Sequence, residues 1–502
     1  MANIQTYIEV FGRTKQQTEK LGGTKGAAFL GKLVHYVGDK YEEMGEAWLD
    51  IVSPHCMLIL GKRGTGKSYT LGVIAESFGM LEERYRERIS VILVDTMSVY
   101  HSLKVPNINK FEVNRLKDFG NWQPRDFRDY VKIFVPRLTV ERLKLDNHRI
   151  VYDKLLQLPL KEVDVYDWLT IFGLKATEPV GVLLTKVIND FKSARVNYGF
   201  DDLYMAIDNY RAAEPQTKQA LKALFENIEK LGLFEKTGSS YEDLIKGGQL
   251  SVLDISYLGR MGGYDLRSLI IAIIARKLLG DRTLYTTVEM QSEAGLIDAA
   301  ISKDIAKEHP LMFMLIDEAH LFLPARDMEK TLASDILIDW IKLGRHPGLS
   351  LILATQEPSA LHDSAIRQAD VILSHNLTAL DDVAALSKAK QTFQTARTDI
   401  SEIVSKMEFK RGLAVLMDDK TRSTQLVMVR PRLTLHTGVD ASAIPLEELD
   451  RFESGQKKEE PKKTEPAHAA PQSQPEKIPE KQPVQASTQT REPIRVIRPR
   501  PV

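Results

Sequence analysis

The octapeptide GKRGTGKS, Gly61 to Ser68, satisfies the spacing G-x-x-x-x-G-K-[ST] in full. Its residue types suit one task. Glycines let consecutive backbone N–H groups curl around phosphate oxygens with no Cβ in the way. The N-terminus of the helix that follows adds a favourable dipole. Lys67 would reach the β- and γ-phosphates, and the Ser68 hydroxyl would take a Mg²⁺ ion. The ligand expected is therefore ATP with Mg²⁺. Its cradle is Gly61, Lys62, Arg63, Gly64, Thr65, Gly66, Lys67 and Ser68, with Tyr69 next in line.

Such a site needs a carboxylate from a neighbouring strand. The run LMFMLIDEAH puts Asp317 and Glu318 at the carboxyl end of a buried strand, the edge at which open α/β sheets bind ligands. Asp317 would complete the Mg²⁺ shell, and Glu318 would polarise the attacking water as general base. An isolated Asp-Glu pair is often only a solvated strand end, but no better strand-terminal pair follows Lys67 and Ser68. Asp95, which ends RISVILVD, reads equally as a further acid at the edge of the site or as the cap of a turn.

The stretch GRHPGLSLILATQEPS, Gly344 to Ser359, is a third candidate. Thr355 and Gln356 stand at the tip of an apolar strand. There an amide can orient the attacking water or sense the γ-phosphate, or the pair can cap the next turn. Arg345 precedes the same strand, so it belongs to the amino-terminal side of the sheet, away from its own subunit's nucleotide. It reads either as an arginine finger supplied in trans or as a helix C-terminal cation complementing the dipole. Spacing alone balances the two.

These residues need a scaffold, and the chain reads as one α/β domain over 53–438. Residues 54–100 form a strand, a Gly-rich loop, a helix and a strand, a βαβ unit that implies a parallel sheet. Leu71, Ile74, Ala75 and Phe78 recur at helical spacing, with Gly79 as a helix stop. A mostly helical insertion spans 105–246, interrupted by the strand VKIFVP and carrying the amphipathic KQALKALFENIEKLGLF. Strand and helix alternate again from Gly248. Here LASDILIDWIKLG places Leu332, Ile336, Trp340 and Leu343 on one side of a helix, and GLAVLMDDKTRSTQLVMVRPR forms a terminal hairpin. Residues 1–52 read as a small β appendage with strands in KLVHYVG and EAWLDIV. Residues 439–502, rich in Pro, Lys and Glu, bury too little apolar surface to offset their conformational entropy and read as a disordered tail. Its end interleaves Arg491, Arg495, Arg498 and Arg500 with Ile494, Val496 and Ile497, either a frayed basic end or a short docking or nucleic-acid motif.

Composition narrows the function classes. Lys plus Arg equals Asp plus Glu, 68 of each in 502 residues, so no global field advertises nucleic acid, although a local basic patch is compatible with that balance. A single cysteine, Cys56, excludes an internal disulfide framework and a cysteine-based zinc site and fits a reducing cytosol. The N-terminus has no apolar signal core. No run approaches the roughly eighteen apolar residues of a membrane span. A soluble, cytoplasmic protein is expected.

Together GKRGTGKSYTLGVIAE, LIDEAHLFLP, the pair LGRHPG and LATQEPS, and RPRLTLHTG resemble the HerA-type ATPases of the HerA/FtsK group of DNA-pumping motors, over roughly Gly26 to Gly438. The resemblance implies a RecA-like P-loop core and a homo-oligomeric ring, usually hexameric, with ATP between neighbours. It implies that Arg345 is the trans finger, that Gln356 is the polar sensor, and that Arg430 and Arg432 brace the subunit interface or the nucleotide. It further implies translocation on double-stranded DNA, in DNA-end processing or repair with a nuclease of NurA type. A motor acting on protein, as in secretion ATPases of the same broad group, is the alternative. Two departures stand out. The P-loop begins at Gly61, leaving little room for the family's N-terminal β-barrel. The strand that ends at Asp95 continues Thr-Met-Ser-Val-Tyr100, where the family has Asp-Pro-His-Gly-Glu-Tyr.

Overall fold

The apolar runs of the sequence form the middle of a sheet whose two faces are both covered, which is why they do not alternate with polar residues. The computed structural model describes residues 7–37, 40–145, 150–237, 241–261, 264–298, 309–389 and 410–437. The tail expected over 439–502, with Arg491, Arg495, Arg498 and Arg500 at its end, lies outside the described residues. In chain order the strands of the main sheet are β1 (Tyr7–Phe11), β2 (Ala27–Val37), β3 (Lys40–Asp50), β4 (Cys56–Leu60), β5 (Ile89–Asp95), β6 (Val131–Pro136) and β7 (Lys154–Leu156). They continue with β8 (Gln249–Asp254), β9 (Leu311–Ile316), β10 (Leu349–Thr355), β11 (Val371–Ser374), β12 (Leu413–Asp418) and β13 (Ser423–Val429).

Among the described residues these thirteen strands make one sheet in the order β1-β3-β2-β13-β12-β11-β4-β10-β9-β5-β8-β6-β7. From β11 to β7 every neighbour pair is parallel. The hairpin β12–β13 continues the sheet antiparallel, and β13 pairs with β2. The N-terminal strands are thus continuous with the main sheet through the C-terminal hairpin. Within the helical insertion, β6 and β7 also enter the sheet beside β8.

Successive residues of each central strand point into different cores, as a period of two requires. Leu58, Leu60, Ile92, Val94, Met312 and Met314 line one; Met57, Ile59, Val91, Leu93, Phe313 and Leu315 line the other. Helix α1 (Lys67–Gly79) covers the second face with Leu71, Ile74, Ala75 and Phe78. The insertion helices α2 (Val165–Phe172), α3 (Pro179–Ala194), α4 (Phe200–Asn209) and α5 (Pro215–Glu229) belong to the first core, through Trp168, Leu184, Leu203 and Phe225. So does the long helix α6 (Leu266–Glu293). Helix α7 (Ser334–Leu343) buries Leu337, Trp340 and Ile341, whereas Leu343 is 57% exposed. Its inward face therefore differs from the one expected. The Trp340 indole donates to the Ala275 carbonyl of α6 at 3.0 Å and turns that side of the helix inward.

Helix α1 is buried almost all round, as a helix must be when it has neighbours on both sides. The second neighbour is the segment 430–436, held by one carboxylate. Glu76 Oε2 accepts from Arg430 Nη1 and from the Leu433 backbone, both at 3.0 Å. Its Oε1 accepts from Arg432 Nε (3.3 Å), the Thr434 backbone (2.9 Å) and the Thr434 hydroxyl (2.6 Å). All three charged side chains are fully buried. The Arg432 guanidinium packs over Gly72, where a Cβ would approach its Cζ to 2.9 Å, and donates to Glu76 and Thr434.

Removing one partner of a buried ion cluster leaves uncompensated charge, at a cost of about 3–5 kcal/mol. Glu76→Gln should therefore lower the urea midpoint sharply at neutral pH, and an unchanged midpoint would show that the cluster is not what holds segment 430–436 on α1.

Candidate nucleotide site

The loop between β4 and α1 has the backbone that its glycines predict. Gly61, Gly64 and Gly66 have φ of +153°, +78° and +113°, values at which other residues are strained. At Gly61 a Cβ would also lie 2.6 Å from Thr65 Oγ1 and 2.7 Å from the His375 Cβ. The loop is tied down at both ends. The Lys62 N–H donates to the Asn376 carbonyl at 3.0 Å, and the Thr65 N–H and hydroxyl donate to the Lys62 carbonyl at 3.2 and 2.6 Å. The Lys67 ammonium bends back to the same carbonyl, at 3.3 Å. Burial pulls its pKa down, against the nearby carboxylates of Glu318 and Asp317, which support its charge. Lys62, Arg63 and Gly64 are exposed at the rim, and Ser68 and Tyr69 are half-buried at the start of α1.

The acidic pair stands where the strand order requires. β9 lies two strands from β4, across β10. Asp317 is buried, and its Oδ1 accepts from the Glu318 N–H at 3.0 Å. Its Oδ2 accepts from the Tyr100 hydroxyl at 2.8 Å, and the same hydroxyl lies 3.2 Å from the Ser68 carbonyl. One phenol thus joins the P-loop helix to the acidic strand. Glu318 adopts φ +51°, a left-handed backbone of the strained kind that collects at functional sites. Burial raises its pKa, and Asp317 raises it further, while Lys67 and the Gln356 N–H act the other way. Its Oε2 is buried without a hydrogen-bond partner and lies 3.5 Å from His320 Nδ1, whose pKa burial lowers. A buried carboxylate with an unsatisfied oxygen and a raised pKa is well suited to accept a proton.

Thr355 and Gln356 separate in role. The Thr355 hydroxyl accepts the Glu357 N–H at 3.1 Å and meets His320 Nδ1 at 3.0 Å, so it caps the turn and holds a neighbour. Gln356 is half-exposed at the strand tip, with its backbone N–H on Glu318. Asp95 is a turn cap as well, accepting from the N–H groups of Met97 (3.1 Å) and Tyr100 (2.9 Å). Burial and the adjacent Asp254 push its pKa up to about 7.

Tyr100, His320 and His375 are site residues that the motifs did not reveal. His375 is fully buried behind the P-loop, with Nδ1 2.9 Å from the Leu413 carbonyl and Nε2 3.0 Å from the Thr70 hydroxyl. The carbonyl can only accept, so Nδ1 carries the proton and Nε2 accepts from Thr70. Burial, with Lys67 nearby, pulls its pKa down to about 4. A signal for it existed, since His375 and Asn376 are polar residues at the tip of the apolar strand VILS, as Thr355 and Gln356 are at theirs.

Arg345 is not part of this cluster. It follows α7 at the amino-terminal edge of the sheet, 60% exposed, with Nη2 3.3 Å from Asp370 Oδ2. Asp370 in turn accepts from the Cys56 N–H (3.1 Å) and from His55 Nδ1 (2.6 Å). His55 Nε2 lies 3.2 Å from Asp50, which is paired with Arg13 at 2.9 Å. The chain Arg13–Asp50–His55–Asp370–Arg345 thus runs from the buried core to one exposed guanidinium.

Burial alone would lower the pKa of His55, but Asp370 and Asp50 raise it, and His55 and the arginines hold both aspartates below the usual carboxylate range. The imidazolium therefore stabilises the fold fully below the free-histidine value of about 6.5, and this contribution is lost as pH rises through the folded pKa. The aspartates contribute above about pH 4, and their share is lost as pH falls through their depressed values. Urea midpoints at pH 6 and pH 9 should show wild type losing its advantage over His55→Gln at the higher pH. A gap of the same size at both values would mean that His55 is not charged in the folded chain.

The helicase HerA central-domain family matches residues 34–277, and the helicase HerA-like C-terminal family matches residues 260–460. Among solved structures, the chain is similar to VirB4 of Thermoanaerobacter pseudethanolicus, with 14% identity over 81% of this chain and 96% of that one and a TM-score of 0.46. It is also similar to the bacterial conjugative coupling protein TrwBdeltaN70, with 14% identity over 77% and 88% and a TM-score of 0.42. A third is the genome packaging NTPase B204 of Sulfolobus turreted icosahedral virus 2 in complex with ATP-gammaS, with 13% identity over 74% and 96% and a TM-score of 0.30. No curated protein matches the chain. Among the described residues no helix is long and apolar enough to cross a membrane. The two family matches together cover residues 34 to 460, and on that ground the chain belongs to the HerA-type P-loop ATPases.

Proposed function

We propose that this ATPase is a cytoplasmic ring motor, six subunits in a ring, that translocates on double-stranded DNA in DNA-end processing or repair. The observation that carries the ring is the division of the machinery between two sheet edges. The P-loop, Asp317 and Glu318 lie at the carboxyl edge, and Arg345 lies exposed at the amino edge. The DNA substrate rests on the match to helicase HerA domains. A nuclease partner of the NurA type belongs to the same reading, although the N-terminal strands here are part of the main sheet.

In this reading the P-loop amides and Lys67 bind the β- and γ-phosphates. Ser68 and Asp317 would hold a Mg²⁺ ion. They fit it: both are oxygen donors of the kind a hard cation takes, and one hydroxyl, that of Tyr100, touches the Ser68 backbone and the Asp317 carboxylate together. When bound, the ion neutralises charge on the β- and γ-phosphate oxygens. Glu318 takes the proton of the attacking water at its unpartnered oxygen, Gln356 orients that water, and Arg345 of a neighbouring subunit stabilises the transferring phosphoryl.

The equality of basic and acidic residues, 68 each, favours a second reading, a motor of the same construction acting on a protein. ATPase rates with and without linear duplex DNA, on protein of measured oligomer size, separate the two. Stimulation by DNA is expected. Equal rates, together with no salt-dependent retention on DNA, would overturn the DNA motor in favour of the protein one.

Lys67→Ala and Glu318→Gln should each abolish hydrolysis. Arg345→Ala should lower it by about 10³-fold or more, the range for arginine fingers, with nucleotide binding retained. Mixing Arg345→Ala with Glu318→Gln subunits should restore part of the rate, because some interfaces then combine an intact base with an intact finger. Normal hydrolysis by Arg345→Ala would remove the finger assignment.

A further inference from the structure

The turn after β5 is where the sequence departs from the motif its relatives carry, and it is also where one side chain reaches both halves of the site. Asp95 shapes that turn, taking the Met97 N–H on one oxygen and the Tyr100 N–H on the other, at 3.1 and 2.9 Å. Ser98 extends the brace to β8 by donating to Asp254 Oδ2 at 2.7 Å. Tyr100 leaves this turn fully buried, its ring in the core shared with α1. Its hydroxyl emerges between Asp317 Oδ2 (2.8 Å) and the Ser68 carbonyl (3.2 Å).

A phenol has one hydrogen to donate, and the shorter contact identifies Asp317 as its main acceptor. The other oxygen of Asp317 is held by the Glu318 N–H at 3.0 Å. The carboxylate is therefore fixed at both ends, and each of its oxygens retains a further lone pair. Removing a group that orients a metal-binding carboxylate typically costs about 10- to 100-fold in metal affinity or activity.

We propose that Tyr100 is a positioning residue for the divalent cation of the nucleotide complex, holding the Asp317 carboxylate at a set distance from Ser68 before the nucleotide arrives. This rests on the reading of Ser68 and Asp317 as the cation site. Phosphate binding by the P-loop does not use Tyr100, because its hydroxyl meets the Ser68 carbonyl and none of the loop amides. Loss of the hydroxyl should therefore weaken cation binding selectively.

The test uses full-length protein and a fluorescent ATP analogue, bound in EDTA and then across a Mg²⁺ titration. Tyr100→Phe keeps the ring volume, and a urea midpoint confirms that the fold is retained. Binding in EDTA should stay within about twofold of wild type, while the Mg²⁺ concentration at half-maximal effect rises by about ten-fold or more, the range seen when a group behind a metal ligand is removed. At saturating Mg²⁺, KM for ATP should be unchanged and kcat reduced. Asp317→Asn separates the two levels of the reading. If it raises the Mg²⁺ midpoint and Tyr100→Phe does not, Tyr100 has no positioning role. If neither variant moves the midpoint, the cation-site reading fails and takes the proposal with it. An equal loss of binding in EDTA for Tyr100→Phe would show general packing support and overturn selective positioning.

Discussion

A strand buried on both faces has no place for a polar side chain except at its tips, and the chemistry of this molecule follows from that constraint. Over β4, β5, β9, β10 and β11 every residue but Leu311 at the start of β9 is buried, and neighbours in sequence point into opposite cores. A charge in mid-strand would have to be desolvated with no partner. The polar groups therefore collect at two edges. At the carboxyl ends stand Asp95, Asp317, Glu318, Thr355 and His375; at the amino ends stand His55, Asp370 and Arg345. Parallel pairing makes each edge a single row, because all the strands from β11 to β7 end on the same side.

The P-loop helix is fixed to this sheet from two directions. Its inner face meets the core through Leu71, Ile74 and Phe78, and its outer side is held by Glu76, whose five donors come from Arg430, Arg432, Leu433 and Thr434. That segment continues β13, which pairs with β2. The N-terminal strands, the C-terminal hairpin and the nucleotide loop are therefore one mechanical body, although they are far apart in sequence. A fully satisfied buried network of this kind resists partial displacement, since every lost donor leaves the carboxylate underpaired in a low-dielectric setting. The rigidity matters at the other end of α1, where the phosphate-binding loop must keep three glycines at positive φ.

What could be read in the sequence was what is local. GKRGTGKS and LMFMLIDEAH carry their meaning within ten residues, and the apolar strands that present them are visible as runs. The terminal hairpin was legible for the same reason. What escaped was pairing across the chain. Tyr100 meets Asp317 from 217 positions away, Thr70 meets His375 from 305, and His55 meets Asp370 from 315. Nothing in the spacing of these residues encodes those contacts; they arise when the strand order brings tips together. The partner of Arg432 escaped for a related reason, since only the position of α1 brings Glu76 against it. The inward face of α7 depended likewise on the Ala275 carbonyl of another helix, which accepts the Trp340 indole.

The two polar edges are not equivalent. The carboxyl edge gathers a lysine, two carboxylates and a phosphate-binding loop into one cluster. The amino edge holds a buried chain of alternating charges that ends in one solvent-exposed guanidinium. Asp370, held by the Cys56 N–H and His55, in turn holds Arg345 in the turn between α7 and β10. An arginine donated from the amino edge of one subunit to a nucleotide at the carboxyl edge of the next joins two different patches. Such a contact is heterologous, and its repetition closes into a ring or runs on as a filament. A two-fold dimer meets it only where both edges of each subunit lie within one shared interface. The proposed trans role of Arg345 thus asks for a contact between unlike edges, because a parallel sheet keeps the P-loop at one edge and its outlying arginine at the other.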